Sequence, residues 1–292
     1  MRPKVSVVIP TYNRGAMLRE AIGSVISQSF RNLEIIVVDH GSTDDTVDVL
    51  RAFRNEPLTS IEVDRGQNLS HARNRGIATA RAELIAFLDS DDVWEPEKLQ
   101  QQVELLEAYP DVGFVQCGFH VVDERGIRST ELQQCDGIGG NDEFSVGSIF
   151  TSVIRARLPM YTSTILIRRT AMDAVGLLNE ELRAGECDLL TRLAFHCPAA
   201  LIHKPLVRIR KHSGNSSKSH WEQDFEEALY TLDHFARLGH ITRGLLLVPP
   251  SAISRTALDL AVCSDACDCG RHARFFVLCR AVIDGCRETR FT

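Results

Sequence analysis

The sequence predicts an α/β protein with a Rossmann-like, mostly parallel sheet flanked by helices, followed by a helical C-terminal extension. Over the first hundred residues, short β-branched runs alternate with segments of helical spacing, and polar clusters follow the runs. The runs are apolar throughout, which is typical of parallel strands covered on both faces. The 292 residues, of which 44% are hydrophobic, suffice for a sizeable core.

The first predicted elements form a βαβ unit. Residues 5–9 are a β-branched run closed by Pro10, and residues 17–27 carry apolar side chains at helical spacing. Residues 34–38 form a second β-branched run that ends at Asp39. The later predicted elements are a helix at 44–53, a strand at 60–63, a helix at 70–82, a strand at 84–88, a strand at 114–122 and a turn at 123–126.

Polar residues follow three of the predicted strands. In parallel sheets, ligands collect outside the carboxyl ends of the strands, so we expect these clusters to meet at one rim. The clusters are Thr11-Tyr12-Asn13, Asp39-His40-Gly41-Ser42 and Asp89-Ser90-Asp91-Asp92.

The third cluster places three carboxylates within four residues. Because side chains alternate along an extended strand, Asp89 and Asp91 can point the same way, which suits Mg²⁺ or Mn²⁺. The alternative is a helix N-terminus, with Asp89 or Ser90 as the cap of a helix that starts near Trp94. The convergence of three polar clusters favours a site for a metal ion and a small nucleotide.

Composition and short motifs exclude several functional classes. The net charge of −6 and the pI near 5.9 disfavour a general nucleic-acid binder, whose footprint is basic. No G-x-G-x-x-G or P-loop motif is present, so dinucleotide and adenylate-type phosphate sites are disfavoured. Nine scattered cysteines, and the lack of a long apolar run, predict a cytoplasmic protein with reduced thiols. The alternative for the tail cysteines is a zinc site at Cys263, Cys267, Cys269 and His272.

Six pieces of the sequence follow one another in a characteristic order and spacing. They are VSVVIPTYNR (5–14), SVISQSF (24–30), EIIVVD (34–39), GSTDDT (41–46), ARNRGI (72–77) and FLDSDDVW (87–94). Together they resemble the family 2 glycosyltransferases of the GT-A fold, over residues 1 to about 215. The resemblance implies inverting transfer of a sugar from a nucleoside diphosphate sugar to an acceptor hydroxyl, with Mn²⁺ or Mg²⁺ as cofactor. It also implies a place in bacterial-type polysaccharide or glycoconjugate synthesis.

The resemblance assigns roles to the rim residues. The residues it implies around the donor are Pro10, Thr11, Tyr12, Asn13, Asp39, Arg73, Asp89 and Ser90. The metal ion is expected at Asp91 and Asp89, with His212 as a nitrogen ligand. The alternative for His212 is contact with the diphosphate of the donor. His40 stands where the family usually has a second aspartate, so a UDP-sugar is only modestly favoured as donor. A turn histidine without a ligand role, and a solvated Arg73 on its helix, are the alternatives.

The catalytic base is expected just before a helix near residue 188. Alignment of Asp188 and the following residues with the family pattern places Glu186 where the base aspartate belongs and Gly185 where its glutamate partner belongs. Glu186 is therefore the predicted base, and Asp188 is the second choice. The alternative is that both acids only stabilise the first turn of the helix.

The second half of the chain is expected to bind the acceptor, which is a glycan, a lipid-linked sugar or a small molecule. The predicted acceptor contacts are Thr162, Ser163 and Trp94, and residues 161–169 resemble a strand of the family. The glycine-containing segment 129–150 is expected to be a loop that closes over the donor, or else a passive connector.

Three regions are predicted: 1–115 as the nucleotide-sugar-binding half, 116–220 as the acceptor half of the same domain, and 221–292 as the helical extension. Helices are expected from 221 onward, at 251–262 and at 272–286. For the extension, packing on the core, homodimerisation and peripheral contact with the inner face of a membrane are alternatives. Two other functions stay open: a catalytically silent sugar-nucleotide or glycan-binding module, and a sugar nucleotidyltransferase.

Overall fold

A computed structural model describes residues 2–65, 67–133, 135, 138–154, 158–159, 161–212, 214 and 221–238. The helices predicted at 251–262 and 272–286 lie outside the described residues, as do the tail cysteines.

The first part of the chain alternates strands and helices, as the sequence predicts. The apolar spacing of α1 buries Leu18, Ile22 and Val25, and α3 begins after Asn68, whose Oδ1 accepts a hydrogen bond from the His71 amide. The elements are β1 (Val5–Thr11), α1 (Gly15–Ile26), β2 (Leu33–Asp39), α2 (Thr46–Ala52), β3 (Leu58–Glu62), α3 (Leu69–Thr79) and β4 (Leu84–Phe87).

The remaining elements mix parallel and antiparallel strands with further helices. In chain order, they are β5 (Val93–Trp94), α4 (Lys98–Ala108), β6 (Phe114–Asp123), β7 (Gly126–Glu131), β8 (Gly139–Gly140), β9 (Phe144–Gly147), α5 (Phe150–Ile154), a 3₁₀ turn (Thr162–Thr164), β10 (Ile165–Arg168), α6 (Arg169–Val175), α7 (Glu186–His196), β11 (Ala199–Arg210) and α8 (Trp221–Arg237).

Within the described ranges, eleven strands form one sheet, whose main path runs β3-β2-β1-β4-β10-β6-β11-β9-β8. Strands β1 to β4 are parallel, β10 is antiparallel to both of its neighbours, and β6 pairs with β11 in parallel. The fold is therefore α/β, and its sheet is parallel around β1, as expected. Thr11 at the end of β1 lies opposite Asp39 at the end of β2, so two of the polar clusters meet at one edge.

Two apolar clusters cover the two faces of the sheet. Successive β1 residues alternate between them: Val7 belongs to the cluster that includes α1 and α4, and Val8 to the cluster that includes α3, α6 and α7. Both valines are fully buried. This two-sided burial explains why the strands are apolar throughout.

Three local expectations differ from the structure. The segment 129–150 contains the end of β7 and all of β8 and β9, and β9 pairs with β11, so it is not a loop along its whole length. Residues 161–169 are only partly a strand, because a 3₁₀ turn precedes β10. No helix directly follows the acidic cluster at residues 89–92, because β5 intervenes and α4 starts only at Lys98. The alternative that Asp89 or Ser90 caps a helix is therefore wrong.

Helix α8 packs against the domain through Phe235, which is buried and contacts the rings of Phe150 and Phe195. Phe150 belongs to α5 and Phe195 to α7. In the described part of the chain, every helix falls short of the length and apolarity that crossing a bilayer requires.

Candidate active site

A cleft of about 280 Å³ opens at the carboxyl ends of β1 and β4. The acidic cluster at residues 89–92 lines the cleft, together with residues at the start of α7 and the end of β11. Its lining includes Pro10, Thr11, Tyr12, Arg14, His40, Arg73, Asp89, Ser90, Asp91, Asp92, Tyr161, Arg183, Glu186, Arg210 and Lys211. The structure thus brings residues from all three polar clusters to one cavity, as the parallel arrangement predicts.

Asp39 and Asn13 hold the turns beside the cleft and are not among its lining residues. Asp39 Oδ1 accepts hydrogen bonds from the amide and hydroxyl of Ser42, at 3.0 and 2.6 Å. Asn13 has a positive φ of 49° and accepts a 2.7 Å hydrogen bond from the Thr43 amide. Their direct contact with a donor stays a prediction, and the observed bonds give both a structural task.

Two polar atoms at this end of the cleft are buried and have no hydrogen-bond partner among the described residues. They are Thr11 Oγ1 and His40 Nε2. Burial lowers the pKa of His40, and the nearby Asp39 charge opposes this only in part, so the imidazole is neutral at neutral pH. Because buried polar groups are nearly always hydrogen-bonded, both atoms are candidates for contact with a bound ligand.

The three aspartates of the acidic cluster have different partners. Asp89 pairs with Arg73 at 2.9 Å. Asp91 Oδ2 lies 2.7 Å from Arg14 Nη1 and 3.1 Å from His212 Nε2. The sequence therefore correctly groups Asp91 with His212, 121 residues later.

Asp92 is a supporting residue rather than an open ligand. Its carboxyl accepts hydrogen bonds from the Ser163 hydroxyl at 2.6 Å and the Arg210 amide at 3.1 Å. Burial, and then the charges of Asp91 and Asp89, raises the pKa of Asp92 well above its ordinary value. Asp92 therefore ties the floor of the cleft to β11 and to the 3₁₀ turn.

Arg73 lies between the acidic cluster and the start of α7. Its side chain is fully buried, so the solvated alternative is wrong. One nitrogen, Nη2, contacts Asp89 at 2.9 Å and Glu186 at 3.1 Å, and also donates to Thr162 Oγ1 at 3.0 Å. Burial lowers the pKa of Arg73, but the charges and hydrogen bonds of Asp89 and Glu186 outweigh burial and raise it overall.

The two candidate bases are placed differently. Glu186 is in the first turn of α7, lines the cleft, and keeps 32% of its side-chain surface exposed. Asp188 points away: it is 6% exposed and pairs with Arg192, one turn later, at 2.8 Å. The structure brings Glu186 to the cleft and does not bring Asp188 there, so Asp188 fits the helix-stabilising alternative.

The predicted acceptor residues lie behind the cleft wall. Trp94 is buried and its Nε1 donates to the Ser163 carbonyl at 2.8 Å. The Ser163 hydroxyl accepts from the Asp89 amide, and Thr162 Oγ1 donates to Glu186 at 3.3 Å. Their direct contact with an acceptor stays a prediction, since these bonds make them supports for Asp89 and Glu186.

Arg14 and Arg183 line the cleft, although the sequence predicts no role for either of them. Arg14 directly follows the first polar cluster, and this adjacency is the signal that identifies it. Lys211 Nζ lies 5.8 Å from the centre of the Tyr161 ring. Arg183 precedes the predicted base by three residues, but nothing in the pattern marks it.

Comparisons with known proteins agree with this architecture. The family described as Glycosyl transferase family 2 matches residues 6–171. An uncharacterised glycosyltransferase of Nostoc sp. is 41% identical over 174 residues, covering 59% of this chain and 53% of the relative. The Escherichia coli enzyme WfaP, named UDP-Glc:alpha-D-GlcNAc-diphosphoundecaprenol beta-1,3-glucosyltransferase, is 35% identical over 103 residues, which cover 35% of this chain and 41% of WfaP.

Among solved structures, the mannosyltransferase PcManGT of Pyrobaculum calidifontis, in complex with GDP-Man and Mn²⁺, superposes with a TM-score of 0.59 at 20% identity. The match covers 97% of this chain and 81% of PcManGT, and at this identity it shows the shared fold alone. The chain spans between 34% and 53% of the length of the first curated relatives.

Proposed function

The chain belongs to glycosyl transferase family 2, and from that premise we propose that it transfers a sugar from a nucleoside diphosphate sugar to an acceptor hydroxyl with inversion. One observation carries the proposal: within a single cleft, Arg73 joins an aspartate of the donor side to a carboxylate suited to deprotonate an acceptor. A glycosyl transfer needs both functions within reach of one anomeric carbon.

The base and ribose of the donor are assigned to the end of the cleft where Thr11 Oγ1 and His40 Nε2 are buried without partners among the described residues. A neutral imidazole both donates and accepts, so His40 is able to pair with a base edge or a ribose hydroxyl. WfaP takes a UDP-sugar by its name and PcManGT was solved with GDP-Man. A UDP-sugar is the modestly favoured donor of this chain.

The metal ion, Mn²⁺ or Mg²⁺, is assigned to Asp91 and His212, with Asp89 beside them. The described residues contain no group of three or more acidic, histidine or cysteine side chains arranged as a metal site. The pair still fits such an ion, because Mg²⁺ and Mn²⁺ take few protein ligands and complete their shell with water and phosphate oxygens. Arg14 beside Asp91 indicates that this oxygen favours a positive charge. When bound, the ion stabilises the charge of the departing diphosphate.

Glu186 is the proposed general base. It takes the proton of the acceptor hydroxyl while that oxygen attacks the anomeric carbon. The bond from sugar to phosphate breaks on the opposite side, and the diphosphate leaves with the electron pair, so the configuration inverts. Positive side chains at the cleft, Arg210 and Lys211 among them, favour the charge that builds on the leaving group. Arg73 Nη2, 3.1 Å from Glu186, orients the carboxylate.

The acceptor is proposed to be a glycan, a lipid-linked sugar or a small molecule used in bacterial-type polysaccharide or glycoconjugate synthesis. The name of WfaP, which specifies a diphosphoundecaprenol-linked sugar, supports this class. The division at residues 115 and 220, a cytoplasmic location with peripheral membrane contact, and dimerisation through the C-terminal helices belong to the same proposal.

Two departures from the family pattern favour a second candidate, a catalytically silent sugar-nucleotide or glycan-binding module. They are His40 and Gly185. A sugar nucleotidyltransferase is disfavoured, because the segment after β1, Pro10-Thr11-Tyr12-Asn13-Arg14, is not a Gly-rich loop.

A thermal-unfolding panel of nucleotide sugars, with and without Mn²⁺, tests the proposal. We expect one class of donors to raise the melting temperature, and Mn²⁺ to enlarge the shift, because a ligand of the folded state stabilises it. The same samples are then assayed for release of nucleoside diphosphate. Release that requires the metal supports an enzyme; binding without release at any metal concentration supports the silent module; no shift with any nucleotide sugar contradicts both.

A further inference from the structure

We propose that Glu227, on helix α8, is a positioning residue for the base Glu186, so that the C-terminal extension completes the active site. The inference rests on the proposed function, because it assigns a task relative to the base named there. The evidence is a set of hydrogen bonds that fix the segment 182–185, directly before Glu186.

The last two amides of this segment, those of Ala184 and Gly185, both donate to Glu227. Glu227 Oε1 accepts from the Ala184 amide at 3.0 Å, and Oε2 accepts from the Gly185 amide at 3.1 Å. The side chain is 7% exposed, so the two bonds are shielded from water. Glu227 is 42 residues from Gly185 along the chain.

The carbonyl side of the same segment is held by α3. The Leu182 carbonyl accepts from the Ser70 hydroxyl at 2.9 Å, and the Arg183 carbonyl accepts from the Leu69 amide at 2.9 Å. The Ala184 carbonyl accepts from Arg73 Nη1 at 3.1 Å. The segment is thus fixed from both sides, by the start of α3 and by a carboxylate of α8.

The cap residue of α7 has no side chain, and the Glu227 carboxylate lies directly before the first turn, bonded to the amides of Ala184 and Gly185. Gly185 occupies the N-cap position with a left-handed φ of 60°, and no side chain caps the turn. A Cβ at this position would lie 2.6 Å from Ser70 Oγ, so a larger residue does not fit without displacement. A carboxylate at a helix N-terminus is stabilised by the helix dipole, and Glu227 supplies one from another helix.

The position of α8 does not depend on Glu227 alone. Phe235 packs between Phe150 and Phe195, and Thr231 is buried one turn after Glu227. Removal of the Glu227 carboxylate is therefore expected to release the segment 184–185 while α8 stays docked. That separation makes the positioning role testable apart from the fold.

The test compares Glu227→Gln with two controls. Glutamine keeps the shape of the side chain but presents an N–H group to one of the two amide donors. Glu181→Gln makes the same chemical change at an exposed glutamate of the same loop. Phe235→Leu loosens the packing of α8 without touching the carboxylate.

We expect Glu227→Gln to lower kcat about 10–100-fold while the donor KM changes less than about 2-fold, because a small misplacement of the base costs turnover and not donor binding. Glu181→Gln is expected to leave kcat unchanged, and Phe235→Leu to lower the melting temperature with little change in kcat. In the double variant with Glu186→Gln, the Glu227 change is expected to have no further effect, since the two residues act as one unit.

Normal kcat in Glu227→Gln would overturn the inference, as would an equal loss in Phe235→Leu or a full additional loss in the double variant. Amide hydrogen exchange of the wild-type chain gives a second test that needs no variant. The amides of Ala184 and Gly185 are expected to be protected, and rapid exchange of these amides would contradict their hydrogen bonds to Glu227. If the wild-type chain itself shows no transfer, the proposed function fails, and the inference fails with it.

Discussion

The two sides of the cleft are built in different ways. The donor side, with Thr11 and Asp91, consists of residues at the ends of neighbouring parallel strands β1 and β4. The base side, with Glu186, begins where the segment 182–185 is bonded to residues of α3 and α8 that lie 42 to 114 positions away along the chain. The order of the strands in the sheet positions the donor side, whereas hydrogen bonds from helices α3 and α8 position the base side.

This difference predicts different sensitivities to substitution. The residues of the donor side are positioned by strands β1 and β4, which are buried along their whole length. Substitutions elsewhere in the chain are therefore expected to have little effect on the positions of these residues. The base side depends on a few hydrogen bonds from α3 and α8. Substitutions remote in sequence are therefore expected to change turnover more readily than donor affinity.

The largest expected effect is on the base side. Glu186→Gln removes the proton acceptor and is expected to lower the rate of transfer by about 10²–10⁴-fold, the usual contribution of a general base. Donor affinity is expected to stay within about 2-fold, because the carboxylate is not assigned to the donor. Steady-state kinetics with Glu181→Gln as the exposed control measures this. Retained turnover would remove Glu186 from the role.

Arg73 joins the two sides, so its loss is expected to affect both. Arg73→Met leaves Asp89 and Glu186 without their shared cation and is expected to cost about 3 kcal/mol of unfolding free energy, together with donor affinity and turnover. Arg73→Lys keeps the charge but loses the planar fork, whose second nitrogen also donates to the Ala184 carbonyl, and intermediate losses are expected. Urea unfolding and donor titration measure them. A loss of donor affinity without a loss of turnover, or of turnover without donor affinity, would contradict the role of Arg73 on both sides of the cleft.

Lys98 is a buried cation beside Trp94, and its burial makes stability depend on pH. Its ammonium is fully buried, donates to Gln102 at 2.8 Å and lies 3.9 Å from the centre of the Trp94 ring. Burial lowers the pKa of Lys98 from 10.5 to about 8, and the nearby Cys117 opposes this only in part. Folding therefore favours the neutral amine, and the cost of the buried charge is largest below pH 8.

We expect Lys98→Met to be more stable than the wild type at pH 7, by an amount that shrinks by up to about 3 kcal/mol as the pH rises from 8 to 10.5. Turnover is expected to be unchanged, because Lys98 contacts Gln102 and Trp94 and does not line the cleft. Urea unfolding of both chains at several pH values measures the difference. A difference that does not vary with pH would show that burial does not lower the pKa of Lys98.

The smallest expected effect separates two glycines. Gly185→Ala forces a Cβ toward Ser70 Oγ at a left-handed φ and is expected to cost about 1–3 kcal/mol of unfolding free energy as well as turnover. Gly23→Ala, within α1 and with no atom within 4 Å of the new Cβ, is expected to gain about 0.5–1 kcal/mol. Thermal or urea unfolding of both variants decides this. Equal effects would contradict the strained-cap account.

The sequence predicts the donor side better than the base side, for the same physical reason. Strand ends follow from local apolar runs, so Thr11, Asp89 and Asp91 are found without knowledge of distant contacts. The alternation also places the strands β1 to β4, because each is flanked by a helix of clear periodicity. The family match confirms the resemblance drawn from the six sequence pieces.

What the sequence does not predict depends on long-range contacts. The pairing of Asp188 with Arg192, and of Trp94 with Ser163, turns predicted site residues into supports. No local pattern identifies Glu227 as a partner of the Gly185 amide, since its neighbours are acidic and the contact spans α7 and α8. The 3₁₀ turn before β10 is likewise tied by long-range bonds, from the Ser163 hydroxyl to Asp92 and from the Thr162 hydroxyl to Glu186.

The central claim is that one cleft holds a donor through Asp91 and a base at Glu186, with separable tasks. Calorimetric titration of the donor found in the panel, in the presence of Mn²⁺, tests it in two variants. Asp91→Ala is expected to lose the metal-dependent part of donor affinity, whereas Glu186→Gln is expected to bind the donor as the wild type does and to fail in transfer. Wild-type affinity in Asp91→Ala, with the same dependence on Mn²⁺, would contradict the account.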